Sequence, residues 1–597
     1  MIRPLSFCIA GTDGETDVMT SAADLATTVT TTLVHRADQS RQWWRDAVIY
    51  QIYPRSFADA NGDGIGDLPG ITARLGHLAR LGVDAVWLSP FYPSPQYDAG
   101  YDVADYRDVD PMFGTLADMD ALLARAEQLG LRVIVDLVPN HTSDAHPWFG
   151  EALAGGPGSP ARERYIFREG RGPDGSQPPT DWESVFGGPA WTRVTEPDGR
   201  LGQWYLHLFD THQPDLNWEH PQVREEFLDV LRFWTERGVA GFRIDVAHGL
   251  IKDQSFPDWA GHREMVSAEE TAEHSGAQAP MWDQPGVHQV YRQWREFLGR
   301  FDPEPILVAE AWVADEHALA KYVRPDEMHQ AFNFQFLTTP WDATQLRATI
   351  QTSLREMDSV GAPTTWVLSN HDVVRAASRL GLAQTGKGPN GIGAEDPQPD
   401  HELGLRRARA ALLLMLALPG SAYLYQGEEL GLPEHTALPD EVRQDPTFAR
   451  TDGQVKGRDG CRVPIPWEKA APAYGFSPTG AAWLPQPESF ADLAADVQRG
   501  DPASTYELVR KALGIRREWN LGSGSLAWVE GLPVDSANVL TFINRDVLVL
   551  VNLGEESVPL PQDLRVLVSS TTADDVTRLG PDEAVWAVVP RAQEEED

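Results

Sequence analysis

Charged residues lie within or directly after several short apolar segments of this 597-residue chain. The segments DLVPNH (136–141), GFRIDVAH (241–248), VAEAW (308–312) and SNHD (369–372) each place a carboxylate beside apolar residues. Burying a charged group is costly, so each of these groups needs a compensating role. The polar and charged residues concerned are Asp136, His141, Arg243, Asp245, Glu310, His371 and Asp372.

Two carboxyl groups that share one opening can cleave a glycosidic bond if their pKa values differ. One attacks the anomeric carbon as a carboxylate, and the other, kept protonated, delivers a proton to the leaving oxygen. Arg243 stands two residues before Asp245 and is expected to keep it ionised, whereas Glu310 lies among apolar neighbours. The alternative is that these residues form a structural ion-pair network. That alternative is reasonable for a single acid, but it is a poor explanation for acids in four separate segments.

Eight β-branched and aromatic runs, each followed by a helix-like stretch, are predicted to position these residues. Continuous apolar runs are typical of parallel strands that are covered on both faces. The segments 115–130 and 222–238 have apolar residues at helical spacing and end in Gly. Eight strands that alternate with helices predict an α/β fold, a (β/α)8 TIM barrel with reactive groups at its C-terminal face. The predicted strands cover 47–54, 84–90, 131–140, 239–248, 305–312, 329–336, 364–372 and 421–429.

Uneven spacing of the strands predicts further units beside the barrel. A stretch rich in Gly, Pro and Trp after the third strand indicates an excursion subdomain, and a long Gly- and Pro-rich stretch after the seventh indicates a rim insertion. The end of the chain carries short strand-like runs that predict an antiparallel β-sandwich domain. The predicted division is a disordered N-terminal extension (1–40), the barrel (41–140 and 213–522) with its rim insertion (373–460), the excursion subdomain (141–212) and the C-terminal β domain (523–597).

The composition excludes several classes of protein. With 50 basic and 88 acidic residues the formal net charge is −38, so the surface would repel nucleic acid and an anionic membrane. A neutral, hydroxyl-rich ligand is compatible with that charge. Two cysteines, Cys8 and Cys461, cannot form a disulfide framework. No apolar run approaches the roughly 20 residues that span a bilayer, and the first residues make a poor signal peptide, so we expect a cytoplasmic monomer or small homo-oligomer.

The four polar segments, taken in chain order, resemble the signature segments of the α-amylase superfamily, glycoside hydrolase family 13. The resemblance runs from about Trp43 to the C-terminus. It implies that Asp245 is the nucleophile, Glu310 the general acid/base and Asp372 a third carboxylate that grips sugar hydroxyls. It also implies that the anomeric configuration is retained. The residues implied to line the same subsite are His141, Arg243 and His371.

Further segments resemble the branch of bacterial α-glucosidases and oligo-1,6-glucosidases. QPDLNW is one of them, and YDAGYDVADY carries Asp98 and Tyr101. In RDGCRVP (458–464) the second arginine, Arg462, is expected to pair with Asp98 over the non-reducing end of the sugar. Such a pair closes one end of a pocket and admits only a terminal glucose, with Tyr101 as a stacking platform. An inter-loop salt bridge without a ligand is the alternative.

A Gly-rich segment after the first strand has the composition of a cation loop. Oxygen-bearing side chains stand at alternate positions with a backbone carbonyl between them, as hard cations require. The segment departs from an EF-hand loop because its twelfth position is Gly70 rather than Glu. It resembles the divalent-cation loop of the oligo-1,6-glucosidase branch, which implies a structural Ca²⁺ or, less expected, Mg²⁺. A turn without metal is the alternative. The implied ligands are Asp59, Asn61, Asp63, Ile65 and Asp67.

Together these features imply a retaining exo-acting α-glucosidase that releases α-glucose from the non-reducing end of maltose and short malto-oligosaccharides. In the family, a Val such as Val246 after the nucleophile is typical of α-1,6 specificity, whereas the continuation Ala247-His248-Gly249 resembles maltose-cleaving enzymes. An oligo-1,6-glucosidase, a transglucosylase, or a sucrose- or trehalose-converting relative is the alternative. A non-catalytic carbohydrate-binding barrel is a further one, and the presence of all three carboxylates argues against it.

Overall fold

Eight parallel strands form a closed barrel at the centre of the molecule. The computed structural model describes residues 30–259, 261, 279–532, 534, 537–561, 564–571 and 577–588. Neighbouring barrel strands follow chain order, and the eighth pairs with the first, with Ala422 opposite Val48. The predicted TIM barrel and all eight of its strands are confirmed. The strands are Val48–Ile52, Ala85–Leu88, Arg132–Leu137, Gly241–Ile244, Ile306–Ala309, Gln330–Asn333, Thr365–Val367 and Ser421–Tyr425.

Helices surround the barrel, and their ends follow from the sequence. Leu68–Leu81 begins after Asp67, whose side chain accepts a hydrogen bond from a first-turn N–H at 2.7 Å, and ends at Gly82 with φ 102°. Pro221–Arg237 ends at Gly238 in the same left-handed conformation. The helices predicted over 115–130 and 222–238 are confirmed. The barrel helices are Leu68–Leu81, Leu116–Gln128, Pro221–Arg237, Val287–Leu298, Glu316–Ala320, Ala343–Val360, His401–Ala417 and Thr505–Glu518.

After the third strand the chain leaves the barrel as a small subdomain. The subdomain contains the helix Pro147–Gly155 and a three-stranded antiparallel sheet. An isolated bridge between His141 and Asp215 joins its beginning to the segment that leads back to the barrel. The strands of this sheet are Phe167–Arg168, Trp191–Thr195 and Leu201–Leu206.

Residues 373–460 are not one rim insertion, which corrects the expectation for this stretch. They include the barrel helix His401–Ala417 and the eighth barrel strand, Ser421–Tyr425. The helix begins directly after the Gly- and Pro-rich stretch, because Asp400 accepts a hydrogen bond from the Leu403 N–H at 2.9 Å and caps it. The rim segments are therefore two loops on either side of a regular barrel unit.

Residues 30–35 form a strand, which corrects the predicted disordered extension over 1–40. Thr30–His35 pairs antiparallel with Leu526–Glu530 at the edge of the C-terminal sheet. His35 also lies 2.8 Å from Asp358, on the barrel helix Ala343–Val360. The half-polar sequence TTTLVH has its strand partner at the other end of the chain, so no local pattern predicts it. Residues 1–29 lie outside the described residues.

The predicted C-terminal antiparallel domain is confirmed. Its main sheet has six strands, and a second sheet of two strands packs on it through apolar residues that include Leu550, Leu560 and Leu579. Among the described residues, no helix is both long and apolar enough to cross a bilayer. Besides Thr30–His35, the main sheet contains Leu526–Glu530, Val539–Asn544, Val547–Asn552, Arg565–Ser569 and Glu583–Val588, and the second contains Val558–Pro559 and Arg578–Leu579.

Candidate active site

The carboxyl ends of the barrel strands converge on one pocket of about 310 Å³. Asp245 directly follows the fourth strand, Glu310 the fifth, and Asp372 comes shortly after the seventh. Because the strands of a parallel barrel all end at the same face, acids far apart in the chain meet there. All three predicted catalytic acids line the pocket. The other lining residues are Asp98, Tyr101, His141, Phe186, Phe209, Val246, Trp312, His371 and Arg458.

Arg243 is fully buried beside the pocket and contacts three carboxylates. Its Nη1 donates to Asp245 Oδ1 at 2.7 Å and to Asp136 Oδ1 at 2.9 Å, and its Nη2 lies 2.6 Å from Glu310 Oε2. One cation thus offsets part of the charge of a buried acid cluster. Since Arg243 contacts both Asp245 and Glu310, it does not by itself keep the first ionised and the second protonated, which corrects that expectation.

Burial raises the pKa of both the Asp245 and the Glu310 carboxyl group, and the charge of Arg243 opposes that rise in each. The charge of Glu310 also raises the pKa of Asp245, so ionising one of these carboxyl groups disfavours ionising the other. Glu310 Oε2 accepts from Arg243 and from the Val246 N–H at 3.1 Å. These two donors fix the orientation of the Glu310 carboxyl group.

Val246, which directly follows Asp245, has a strained backbone. Its φ is 45°, a region that β-branched residues rarely adopt. In this conformation its N–H reaches the Glu310 side chain, and the next N–H, of Ala247, donates to the Glu310 carbonyl at 2.8 Å. The turn that follows the fourth strand thus holds the acid of the fifth strand in place.

Asp372 is bound by two arginines from one loop. Its Oδ1 lies 3.1 Å from Arg458 Nη1 and 3.1 Å from Arg462 Nη2, and His371 Nε2 lies 3.4 Å from its Oδ2. Burial alone would raise the pKa of Asp372, but the charges of Arg458 and Arg462 outweigh it and lower the pKa below its usual range. Asp372 is therefore ionised.

Asp98 pairs with Arg458, which corrects the prediction that Arg462 is its partner. Arg458 Nη2 lies 2.7 Å from Asp98 Oδ1, whereas Arg462 donates to the His371 carbonyl at 2.9 Å. The two arginines flank a short 3₁₀ turn, Arg458–Cys461, and reach different groups from it. Arg458 lines the pocket and Arg462 lies behind it. Burial raises the pKa of Asp98, although Arg458 opposes this.

Two buried side chains fix the position of Asp98. Gln213 Nε2 donates to Asp98 Oδ2 at 3.1 Å, and the carboxylate of Asp102 accepts the N–H groups of Tyr97 and Asp98, both at 3.0 Å. Burial raises the pKa of Asp102 to about 6, against the effect of these hydrogen bonds. Gln213 is the first residue of QPDLNW, so this segment contributes to the pocket through Asp98.

Tyr101 and His371 form a stacked aromatic pair in the pocket wall. Their ring centres are 5.2 Å apart and their planes differ by 6°. The Tyr101 hydroxyl donates to Asp136 Oδ2 at 3.1 Å, and Asp136 itself is fully buried in the third strand. Burial lowers the pKa of His371 well below its usual value and that of His141 to about 4. Both imidazoles are therefore neutral hydrogen-bonding groups.

Sequence reasoning missed the apolar wall of the pocket. Phe186 and Phe209 come from the subdomain side, and Trp312 follows the fifth strand. The ring centre of Phe209 lies 5.5 Å from that of Phe186 and 6.4 Å from that of Trp312. Phe186 and Phe209 lie outside regular elements, where hydrophobic periodicity gives no signal.

The predicted cation loop is folded as a series of turns. Asp59 accepts hydrogen bonds from the N–H groups of Gly62 and Gly64 at 2.6 and 2.8 Å, and Asp67 accepts from Asn61 N–H at 3.2 Å. Asp59 and Asp67 are buried and form no ion pair with a described residue. In the described part of the chain, no three His, Cys, Asp or Glu side chains are placed to hold a metal ion together, and Asp59, Asp63 and Asp67 are no exception.

Comparisons with known proteins agree with this arrangement. Residues 51–523 match the family model described as Alpha amylase, catalytic domain. The probable alpha-glucosidase of Rhizobium meliloti (strain 1021) is 41% identical, over 87% of this chain and 91% of its own length. The oligo-1,6-glucosidase of Parageobacillus thermoglucosidasius is 33% identical, over 90% and 96%. The crystal structure of the alpha-glucosyl transfer enzyme XgtA has a TM-score of 0.77 and 37% identity, and covers 92% of this chain and 100% of its own.

The matched range begins within the first barrel strand and contains the rest of the barrel, the three predicted catalytic acids and the loop that carries Arg458. Because the family model spans most of the chain and relatives above 30% identity cover most of it, the conclusion does not depend on any one segment. The chain belongs to the alpha-amylase family and is a glycoside hydrolase.

Proposed function

We propose that this enzyme is a retaining exo-α-glucosidase that releases α-glucose from the non-reducing end of maltose and short malto-oligosaccharides. The observation that carries the proposal is the meeting of Asp245, Glu310 and Asp372 in one pocket with the Asp98–Arg458 ion pair at its wall. Both curated relatives described above are named as glucosidases.

In the first half of the reaction, Asp245 attacks the anomeric carbon while Glu310 donates its proton to the departing glycosidic oxygen. A covalent β-glucosyl intermediate forms on Asp245. Glu310, now ionised, takes a proton from water, which attacks the same carbon and releases α-glucose. Asp245 and Glu310 both contact the terminal nitrogens of Arg243, at 2.7 and 2.6 Å. This supports the short carboxyl separation of retaining enzymes, about 5–5.5 Å, over the wider gap of inverting ones.

The other pocket groups bind and orient the sugar. Asp372, kept ionised by Arg458 and Arg462, accepts hydrogen bonds from sugar hydroxyls in the proposed mechanism. The neutral His141 and His371 suit a neutral ligand, and Tyr101 offers an aromatic face. The ion pair between Asp98 and Arg458 closes one end of the pocket, so a chain end fits and an internal glucan segment does not. This supports exo action.

The linkage specificity has a second candidate supported by separate observations. Val246 lines the pocket and favours α-1,6 bonds by the family resemblance, and one relative is named an oligo-1,6-glucosidase. The similar structure named as an alpha-glucosyl transfer enzyme supports transglucosylation at high sugar concentration. One methyl group in a pocket changes the relative binding of two substrates by only about 1–3 kcal/mol. The linkage specificity therefore has to be measured with substrates and does not follow from Val246 alone.

The test is an initial-rate comparison of maltose, isomaltose, sucrose, trehalose and soluble starch. We expect maltose to be the best substrate, soluble starch to be poor, and the first glucose released to be the α-anomer. Glu310→Gln should lower kcat by about 10²–10⁴-fold, the usual range for a general acid, and Asp245→Asn by at least as much. Glu296→Gln, the same change on an exposed helix side chain, is the control and should keep normal activity. Near-normal turnover in either pocket variant would exclude the mechanism.

We also propose a structural Ca²⁺, with Mg²⁺ as the other option, in the loop from Asp59 to Asp67. The buried carboxylates of Asp59 and Asp67 support it, since a cation would neutralise two acids that lack an ion-pair partner among the described residues. Asn61, Asp63 and the Ile65 carbonyl would supply the remaining oxygens. The ion would stabilise the loop and take no part in bond cleavage.

We propose a cytoplasmic location, as a monomer or a small homo-oligomer. The low cysteine count and the buried free thiol of Cys461 support a reducing compartment. Cell fractionation with an activity assay tests the location, and light scattering tests the oligomeric state.

A further inference from the structure

A second cavity lies at the opposite end of the barrel from the carboxylate pocket. Its volume is about 700 Å³, more than twice that of the pocket. Trp43 and Asp46 precede the first barrel strand, Arg132 begins the third, and Arg516 lies on the last barrel helix. The N-terminal ends of the strands therefore form one wall and the helix Thr505–Glu518 forms another. The proposed function makes no use of this cavity.

Arg516 forms a buried part of the cavity wall. It is 4% exposed, and its Nη1 donates to the carbonyl groups of Leu416 and Leu418, both at 2.7 Å. Its Nη2 donates to the Gly420 carbonyl, and its Nε is enclosed by protein atoms. Arg516 therefore holds the wall in place, and the accessible side chains of the lining include Trp43, Asp46 and Arg132.

A glycine keeps the cavity open. A Cβ atom on Gly522 would lie 2.6 Å from Asp46 Cβ and 2.8 Å from Arg516 Nη2. Any other residue at 522 would therefore displace the carboxylate or the guanidinium. The glycine thus lets Asp46 and Arg516 both lie close to the backbone at this edge of the cavity.

The lining is chemically mixed. Trp43 is half-buried, with the Arg132 guanidinium 4.5 Å from its ring centre. Arg517 is already engaged, since it donates to Asp84 at 2.9 Å. The exposed carboxylate of Asp46 forms no ion pair within the described ranges. An indole ring, a carboxylate acceptor and guanidinium donors are the groups that bind the apolar faces and hydroxyls of a sugar.

We propose that this cavity is a second, non-catalytic binding site for a neutral oligosaccharide. Trp43 stacks against one sugar ring, Asp46 accepts hydroxyl hydrogens, and Arg132 donates to ring or hydroxyl oxygens. The site lies at the opposite end of the barrel from the cleavage site, so it holds a glucan near the enzyme without entering the reaction.

Calorimetric titration of the Glu310→Gln chain with maltotriose tests the proposal, because this variant binds sugar without turning it over. We expect two sites per chain. Adding Trp43→Ala should weaken the affinity of one of them for maltotriose at least tenfold. Asp46→Ala should weaken the affinity of the same site. Asp46 is exposed and has no ion-pair partner among the described residues, so Asp46→Ala should not disturb folding. This variant therefore still tests the site if the Trp43 variant does not fold.

Trp148→Ala is the matched control, because Trp148 is also half-buried under an arginine, Arg164, at 4.5 Å, but lies in the subdomain. It should leave two sites. The proposal would be overturned if the parent chain bound only one maltotriose. It would also be overturned if both sites persisted in Trp43→Ala and Asp46→Ala, or if the cavity bound inorganic phosphate in place of maltotriose. In the active chain Trp43→Ala should keep maltose hydrolysis within twofold, so a failed second site and a failed glucosidase assignment give different results.

Discussion

Arg458 and Arg462 lie four residues apart and share one partner, Asp372, but their other partners differ. Both contact Asp372 at 3.1 Å, but only Arg458 reaches Asp98, and Arg462 donates instead to a backbone carbonyl. The sequence identifies the loop and both arginines. It cannot tell which one faces the sugar, because that depends on the direction of a four-residue 3₁₀ turn.

Lysine substitutions separate the two roles. A lysine keeps the charge but cannot form the forked contacts of a guanidinium. Arg458→Lys should loosen the closed end of the pocket and raise the ratio of kcat/KM for maltoheptaose to that for maltose by about tenfold, the effect of one lost contact of about 1.4 kcal/mol. Arg462→Lys should lower kcat through Asp372 and leave the ratio unchanged. If the ratio shifted in Arg462→Lys but not in Arg458→Lys, Arg462 rather than Arg458 would be the partner of Asp98.

Glu428 is a buried acid whose titration should make stability depend on pH. Burial raises its pKa to about 8, against the hydrogen bond that it accepts from the Tyr425 N–H at 2.7 Å. A group with a raised folded-state pKa stabilises the fold below its unfolded pKa, near 4.3 for Glu, and that contribution is lost as the pH rises towards 8. The slope is at most about 1.4 kcal/mol per pH unit.

Glu428→Gln removes this titration. The free energy of unfolding of the variant, relative to that of the parent chain, should therefore rise between pH 5 and pH 8, by about 2–4 kcal/mol at most. Urea unfolding across that range measures it. A difference that stays constant with pH would show that Glu428 is ionised in the fold and that burial does not control its pKa.

At the level of elements, strands and helices with strong local patterns were predictable and those with distant partners were not. The eight barrel strands are continuous apolar runs, and helix ends such as Gly82 and Gly238 carry their own stop signal. Thr30–His35 has no such pattern, since its partner Leu526–Glu530 lies at the other end of the chain. The composition of residues 373–460 predicts one insertion, because the Gly- and Pro-rich loop before Asp400 obscures the helix that Asp400 caps.

The Ca²⁺ proposed for the loop from Asp59 to Asp67 can be removed, and the effect on thermal stability can be measured. If Ca²⁺ binds there, dialysis against a chelator should lower the melting temperature by several degrees, because an ion that binds only the folded state stabilises it. Added Ca²⁺ should restore it, and Asp63→Asn should weaken the response. An unchanged melting temperature, together with metal analysis that finds no bound ion, would show that the loop is held by its turns alone.

At the scale of the whole molecule, the barrel separates two cavities of different character. The C-terminal face holds the acids, which meet only because the fourth, fifth and seventh strands end side by side. Strand order and residue type predict that meeting. The aromatic wall formed by Phe186 and Phe209 and the cavity lined by Trp43 and Arg516 depend on how separate units pack, so no pattern along the chain indicates them.

The central claim is that Asp245 forms a covalent bond to glucose with the help of Glu310 and Asp372. A 5-fluoro-glucosyl fluoride tests it directly, because the ring fluorine slows hydrolysis of the intermediate and lets it accumulate. Peptide mapping by mass spectrometry should then find one fluoroglucosyl group per chain, on the peptide that contains Asp245, and none in Asp245→Asn. A label on Asp372 or Glu310, or rapid turnover with inversion and without any label, would contradict the mechanism.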